Sequence, residues 1–202
     1  MPTAQMPNSP IPSKRMSFSP KIIFVILAVV VLVEVIFAVK TLSQPTPAQR
    51  VAKAKAVTKS QISIVSVKKE YKVGDLVPVS ILVETGSHKT IGTDVILHYD
   101  SNLLEATSSS VIKKGTIYQD FPALGLDPKT SIVTVSGINT ADRVFQGLGL
   151  LATINFIARA PGLASVTVDF TPNSTTDTNV VDSISGKDIL EQVENLNLTI
   201  RQ

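Results

Sequence analysis

Few side chains in this 202-residue chain are placed to do chemistry, and the residue types that are missing narrow the field first. There is no cysteine, which removes disulfides, thiolate nucleophiles and Cys-ligated zinc or iron–sulfur centres. Histidine occurs twice, at His88 and His98, too few for a multi-His metal site, and any His-based triad would have to use one of them. His98 falls at the outward position of an alternating apolar run, which favours a surface or interface role over a general base. The run Asp177-Thr178-Asn179-Val180-Val181-Asp182 opens like a calcium loop, with Asp169 and Asp188 close in sequence. A twelve-residue EF-hand loop needs oxygen ligands at positions 1, 3 and 5 and glycine at 6. Val181 and Asp182 occupy the last two, so that motif fails and only an irregular calcium site within 169–188 stays open.

Paired carboxylates for glycoside hydrolysis are assembled by a fold, and nothing in the sequence singles out a pair. The chain therefore reads as non-enzymatic, with no cofactor and no metal expected. Planar sugar surfaces are gripped by exposed aromatic rings, most effectively by Trp, and Trp is absent. Tyr118 and Phe121 lie outside any clear strand pattern and are the candidates for a small glycan platform. Their other reading is a loop that plugs one end of the fold. Asn173-Ser174-Thr175 and Asn197-Leu198-Thr199 match the glycosylation triplet, a pattern that arises often by chance.

The elements that must position these residues have a period of two. Val77, Val79, Ile81 and Val83 alternate with Pro78, Ser80, Leu82 and Glu84; Val95, Leu97 and Tyr99 alternate with Asp94, Ile96 and His98. Leu150, Ala152, Ile154, Phe156 and Ala158 form a third apolar set, Val166, Val168 and Phe170 a fourth, and Leu196, Leu198 and Ile200 a fifth. Shorter runs at 61–67 and 131–136 behave the same way. Turn signals at Val73-Gly74-Asp75, Thr85-Gly86-Ser87, Asp100-Ser101-Asn102 and Ala160-Pro161-Gly162 separate them. At least seven one-sided strands without a long amphipathic helix predict two packed antiparallel sheets over residues 60–202, enough chain to bury one core without staples. No internal repeat of solenoid or propeller length is present.

Ahead of this body the composition is different. Residues 1–59 hold eight basic groups and only Glu34 as an acid, a net +7, whereas residues 60–202 hold eleven basic and fifteen acidic groups, a net −4. A mildly acidic body lacks the electrostatic footing for nucleic acid. Between Lys21 and Lys40, the eighteen residues 22–39 are apolar except for Glu34 and would make roughly 27 Å of helix, close to the ~30 Å hydrocarbon core of a bilayer. No small-x-small cleavage site follows at signal-peptide distance, so the segment 21–40 is expected to be an uncleaved transmembrane signal anchor. Glu34, six positions before Lys40, can reach the interface. Lysine and arginine flank the span on both sides and leave its orientation open. Residues 1–20, with five prolines, read as a disordered tail, and residues 41–59, with no acidic group, as a flexible basic tether.

Three stretches of the body resemble the cohesin domain family. YKVGDLVPVSI (71–81) is similar to the family's "x-x-G-D-x-V-x-V-x-V" opening, GTDVILHYDSNLLEA (92–106) to its "D-x-x-L-x-Y-D-x-x-x-L-x" strand and turn, and GLLATINFIARAPG (149–162) to its "G-x-L-x-x-I-x-F-x-x-x-x-x-G" segment. Their order and spacing agree over residues 60–202. The resemblance implies a nine-stranded antiparallel jelly-roll sandwich, related to carbohydrate-binding modules, that binds a dockerin module through the outer face of one sheet, often in polysaccharide-degrading assemblies. It further implies that Asp94 is a partner-contacting residue. Strand geometry independently places Ile96 and His98 on the same face as Asp94. Ser101 stands where the family commonly has Pro, and Gly92 where many members carry a polar contact residue, which bears on the identity of the partner. The expectation is a single-pass membrane protein held by 22–39, with its C-terminal domain extracellular and a dockerin-like partner. Direct contact with polysaccharide is the alternative.

Overall fold

The computed structural model describes residues 59–202 apart from Ala141, Asn173 and Thr175. The tail 1–20, the apolar segment 22–39 with Glu34, the tether up to residue 58 and the acceptor of the Asn173 triplet lie outside the described residues. Among the described residues no helix is long and apolar enough to cross a membrane.

The strands, in chain order, are β1 (Gln61–Ser66), β2 (Glu70–Lys72), β3 (Leu76–Glu84), β4 (Thr90–Tyr99), β5 (Leu104–Glu105), β6 (Ile112–Lys114), β7 (Asp120–Asp127), β8 (Ile132–Ile138), β9 (Leu148–Ala158), β10 (Gly162–Val168), β11 (Asn179–Asp182), β12 (Gln192–Glu194) and β13 (Leu196–Arg201). They form two sheets. One runs β12-β1-β3-β9-β5 with β6 also on β9, and the other runs β2-β13-β10-β4-β8-β7 with β11 also on β4. The inner faces meet in one core that includes Ile62, Val77, Ile81, Val95, Leu97, Val133, Val135, Ile154, Phe156, Val166 and Leu198, each at most 1% exposed. Side chains that alternate along a strand leave one apolar row per strand, and burying these rows against each other is what holds the sheets together.

Thirteen strands stand where nine were expected. The additional ones are pieces of two to four residues, such as β2, β5, β6 and β12, too short for alternation to reveal. The sandwich is also not purely antiparallel: β12 lies parallel to β1 and β2 lies parallel to β13, both at sheet edges. A third departure concerns β9. Opposite the Ile81/Leu82 step, Ile81 pairs with Ala152 and Leu82 with Leu150, so Leu151 is an extra residue in a bulge. That bulge reverses the alternation, and Leu151 rather than Leu150 is fully buried.

Gly115, Gly137 and Gly149 are required by close approach. A Cβ on Gly137 would lie 2.5 Å from Cδ2 of Tyr118, and one on Gly149 would overlap Ile117 and Phe145. Glycine at 137 therefore makes the space into which the Tyr118 ring is packed.

Candidate partner-binding face

β4 crosses the middle of the seven-stranded sheet, with β8 on one side and β10 and β11 on the other. Val95 and Leu97 are fully buried and Tyr99 nearly so, while Asp94 and Ile96 are half-buried and His98 is exposed on the opposite face. The register extends this outer face into three rows. Ala123, Ser136, Asp94 and Asn179 lie side by side, as do Gly125, Thr134 and Ile96, and then Asp127, Ile132, His98 and Thr167. Ala123, Gly125, Thr134 and Ser136 leave Ile96 and Ile132 as the larger apolar side chains of this surface, with carboxylates at Asp94 and Asp127. His98 Nε2 is 3.6 Å from Asp169 Oδ2, both side chains being nearly half exposed, and this is a surface pair.

β4 changes partners on this side. Val168 of β10 pairs with Leu97, and Asn179 of β11 pairs with Asp94. Between them, the Ile96 carbonyl accepts the Asp169 N–H at 2.9 Å, and the Ile96 N–H donates to the Thr178 hydroxyl at 3.0 Å, which in turn faces that carbonyl at 3.4 Å. The chain leaves the sheet after Val168 and rejoins it at Asn179, beside this clamp. Thr178 also donates its N–H to the Asp169 carbonyl.

The four acids of the 169–188 region have separate fates. Asp182 is buried and its Oδ1 accepts from the N–H of Ile184, the N–H of Ser185 and the Ser185 hydroxyl. Those bonds, led by the Ser185 N–H, with the nearby His88 ring adding to them, hold its carboxyl below the usual carboxylate range. Asp188 Oδ1 accepts from the N–H groups of Val180 and Leu190. Asp169 stands beside His98. Asp177 is 9% exposed and accepts the Thr171 N–H through Oδ2, while its Oδ1 is buried without a partner. Asn179 Oδ1 is likewise buried and unpartnered, although Asn179 Nδ2 donates to the Asp177 carbonyl at 3.3 Å. Among the described residues no three His, Asp or Glu side chains are grouped to hold a metal.

The aromatic pair does not make a platform. Tyr118 is 5% exposed, its hydroxyl lies 2.6 Å from Thr93 Oγ1 and 3.3 Å from Thr90 Oγ1, and its ring meets Phe145 edge-on. Burial pushes its hydroxyl pKa up. Phe121 belongs to β7, not to a loop, and is half-buried against the core with the Lys114 ammonium 5.5 Å from its ring centre. Among the described residues every aromatic side chain is buried or half-buried. Both rings pack against the core, Tyr118 from the loop before β7 and Phe121 from β7 itself.

Sequence reasoning found β4 and its alternation but missed Ser136, Thr134, Gly125, Ala123 and Asn179 as neighbours on the same face. The strand run at 131–136 was visible, but nothing local in it states which strand lies beside it.

No protein-family model matches this chain, and no curated protein sequence matches it. Solved structures do match in fold. A type II cohesin domain from the cellulosome of Acetivibrio cellulolyticus aligns at 21% identity over 69% of this chain and 95% of its own, with a TM-score of 0.59. A cohesin of the same organism, solved in complex with a dockerin and displaying a type I interaction, aligns at 17% identity over 71% of this chain and 99% of its own, TM-score 0.57. A type I cohesin–dockerin complex from Clostridium thermocellum aligns at 16% identity over 69% and 99%, TM-score 0.54. The two sheets of residues 59–202 therefore form a β-sandwich with the fold of cohesin domains.

Proposed function

We propose that this chain is a non-enzymatic, membrane-anchored adaptor whose sandwich captures a dockerin-type module of another protein through the outer face around Asp94, Ile96 and His98. The observation that carries the reading is the combination of a cohesin-like fold with an outward row on β4 that is polar at both ends and apolar in the middle. A carboxylate such as Asp94, which has no hydrogen-bond or ion-pair partner among the described residues, can accept charge-assisted hydrogen bonds from a docked protein, and Ile96 beside it excludes water from them. The apolar segment 22–39 would hold the chain in the membrane with residues 60–202 outside the cell. The polysaccharide-degrading setting follows from the resemblance to cellulosomal modules. A direct grip on glycan would need an exposed ring, which the described residues do not offer.

The test is a titration of the full chain in detergent against calcium-loaded dockerins and, separately, against soluble polysaccharides. Saturable binding of a dockerin that is weakened by the double substitution Asp94→Ala/Ile96→Ala supports the proposal. Saturable polysaccharide binding with no dockerin bound would overturn it.

A further inference from the structure

The root of the 169–178 excursion is rich in oxygen acceptors and lacks donors to match. Asp177 is nine-tenths buried, yet one carboxylate oxygen meets no donor. Two residues on, Asn179 Oδ1 has the same defect, and the amide cannot be turned over to cure it because Nδ2 is already committed to the Asp177 carbonyl. That bond also folds the Asn179 side chain back toward Asp177. Across the β11–β4 pairing Asn179 stands directly opposite Asp94, a half-buried carboxylate. No lysine or arginine of the described residues is paired with any of the three; the ion pairs there are Lys59–Glu191, His88–Asp182, His98–Asp169 and Arg201–Glu70.

Buried acceptors without donors are what a hard cation satisfies and a protein side chain here does not. We propose that Asp177 and Asn179, completed by Asp94, main-chain carbonyl oxygen and water, bind a divalent cation of the calcium type where the 169–178 excursion returns to the sheet. Calcium suits the set because it accepts carboxylate, carboxamide, carbonyl and water oxygens together in irregular geometry, whereas magnesium demands a near-ideal octahedron. Two carboxylates balance its charge. With only three side-chain residues in the set, affinity belongs at the weak end of protein calcium sites, with a Kd of about 10⁻⁴ to 10⁻³ M. Such a site fills where calcium is millimolar. The bound ion would pin the long excursion to β4 at the edge of the outer face, next to the Thr178 clamp. The inference stands on the orphaned oxygens and does not need the partner reading.

The alternative occupant is a water molecule donating to both orphaned oxygens, and it predicts no response to cations. Full-length chain in detergent, stripped with chelator, is titrated with calcium chloride and with magnesium chloride by calorimetry, with the melting temperature followed in parallel. One saturable calcium site in the stated range, a melting temperature that rises with calcium and falls back with chelator, and magnesium at least tenfold weaker are expected. Asp177→Asn and Asn179→Ala should each weaken calcium at least tenfold, while Asp182→Asn, whose carboxylate serves its own turn, should leave the calcium Kd unchanged. Absence of saturable binding up to about ten times the stated range, or full retention of it by Asp177→Asn or Asn179→Ala, overturns the site. The wild-type titration decides alone should a variant fail to fold.

Discussion

Leu97→Ala and the neighbouring pair Asp94→Ala/Ile96→Ala should have opposite consequences, and the contrast follows from one strand seen from its two sides. Leu97 is fully buried between Val133 on β8 and Val168 on β10, its partners in register. Truncation removes three carbons, about 2.4 kcal/mol at ~0.8 kcal/mol each. The cavity left in a close-packed core raises the cost to about 3–5 kcal/mol. In a domain of this size a loss of about 3 kcal/mol lowers the melting temperature by roughly 6–12 °C. In calcium-free buffer the paired alanine variant loses a half-buried isoleucine and a carboxylate with no hydrogen bond among the described residues, so its melting temperature there should move by less than half as much. Binding reverses the order. Removing a central carboxylate and the apolar contact beside it costs about 2 kcal/mol or more, at least roughly thirtyfold in Kd. Folded Leu97→Ala should keep the wild-type Kd. The assay is thermal unfolding of full-length chain together with calorimetric titration of a calcium-loaded dockerin that binds wild type. A folded Asp94→Ala/Ile96→Ala protein that binds as tightly as wild type would refute the reasoning, as would a loss of stability matching that of Leu97→Ala.

Gly137→Ala should destabilise the domain by about 1–3 kcal/mol, because its Cβ would enter the ring of Tyr118 and the packed neighbourhood has little room to give; an unchanged urea midpoint would count against it. Asp182 has its carboxyl held below the usual range, so its ionised form favours the fold; that contribution is complete above the ordinary carboxylate value and is lost as pH falls through the depressed one. Asp182→Asn should therefore flatten the acid limb of a melting temperature against pH profile, and a parallel downward shift at every pH would show that the charge is not involved. Protease added to intact cells should remove residues 60–202 while 22–39 remains with the membrane; full protection of the body, or a mature chain beginning after residue 39, would contradict the anchored and extracellular topology.

The parts of the fold that were legible in the sequence are those set by the strand period. The rows Val95-Leu97-Tyr99 and Leu196-Leu198-Ile200 are buried as the alternation required, and Gly74 and Gly86 take the positive φ that their turns need. The β9 row is right from Ala152 onward and wrong before it, since a one-residue bulge cannot be seen until the partner strand is known. Tyr118 does lie in the loop between β6 and β7, but its burial was not legible, because the glycine that accommodates its ring is nineteen positions away, at Gly137 on β8. The outer face was half legible. Alternation assigns Asp94, Ile96 and His98 to one side of β4, but Ser136 and Asn179 reach that face only through pairings between distant segments. The orphaned oxygens of Asp177 and Asn179 depend on what surrounds them after folding, and no local pattern encodes that.

The two parallel edge pairings set a timetable for making the domain. Ser63 of β1 meets Glu194 of β12, and Glu70 of β2 meets Arg201 of β13, each across 131 residues of chain. A chain growing from its N-terminus at about 5–20 residues per second needs roughly 7–26 s to produce the second member of either pair. Throughout that interval β1 has one hydrogen-bonding edge open and β2 has no strand to lie on, while loop-closure entropy delays the long-range pairing further. The sandwich is thus sealed only once residues 192–201 have been made, and its cooperative closure waits for them. A chain stalled or cut before residue 192 would carry nearly all of the core-forming strands and still present the unpaired edge of β1 to other chains.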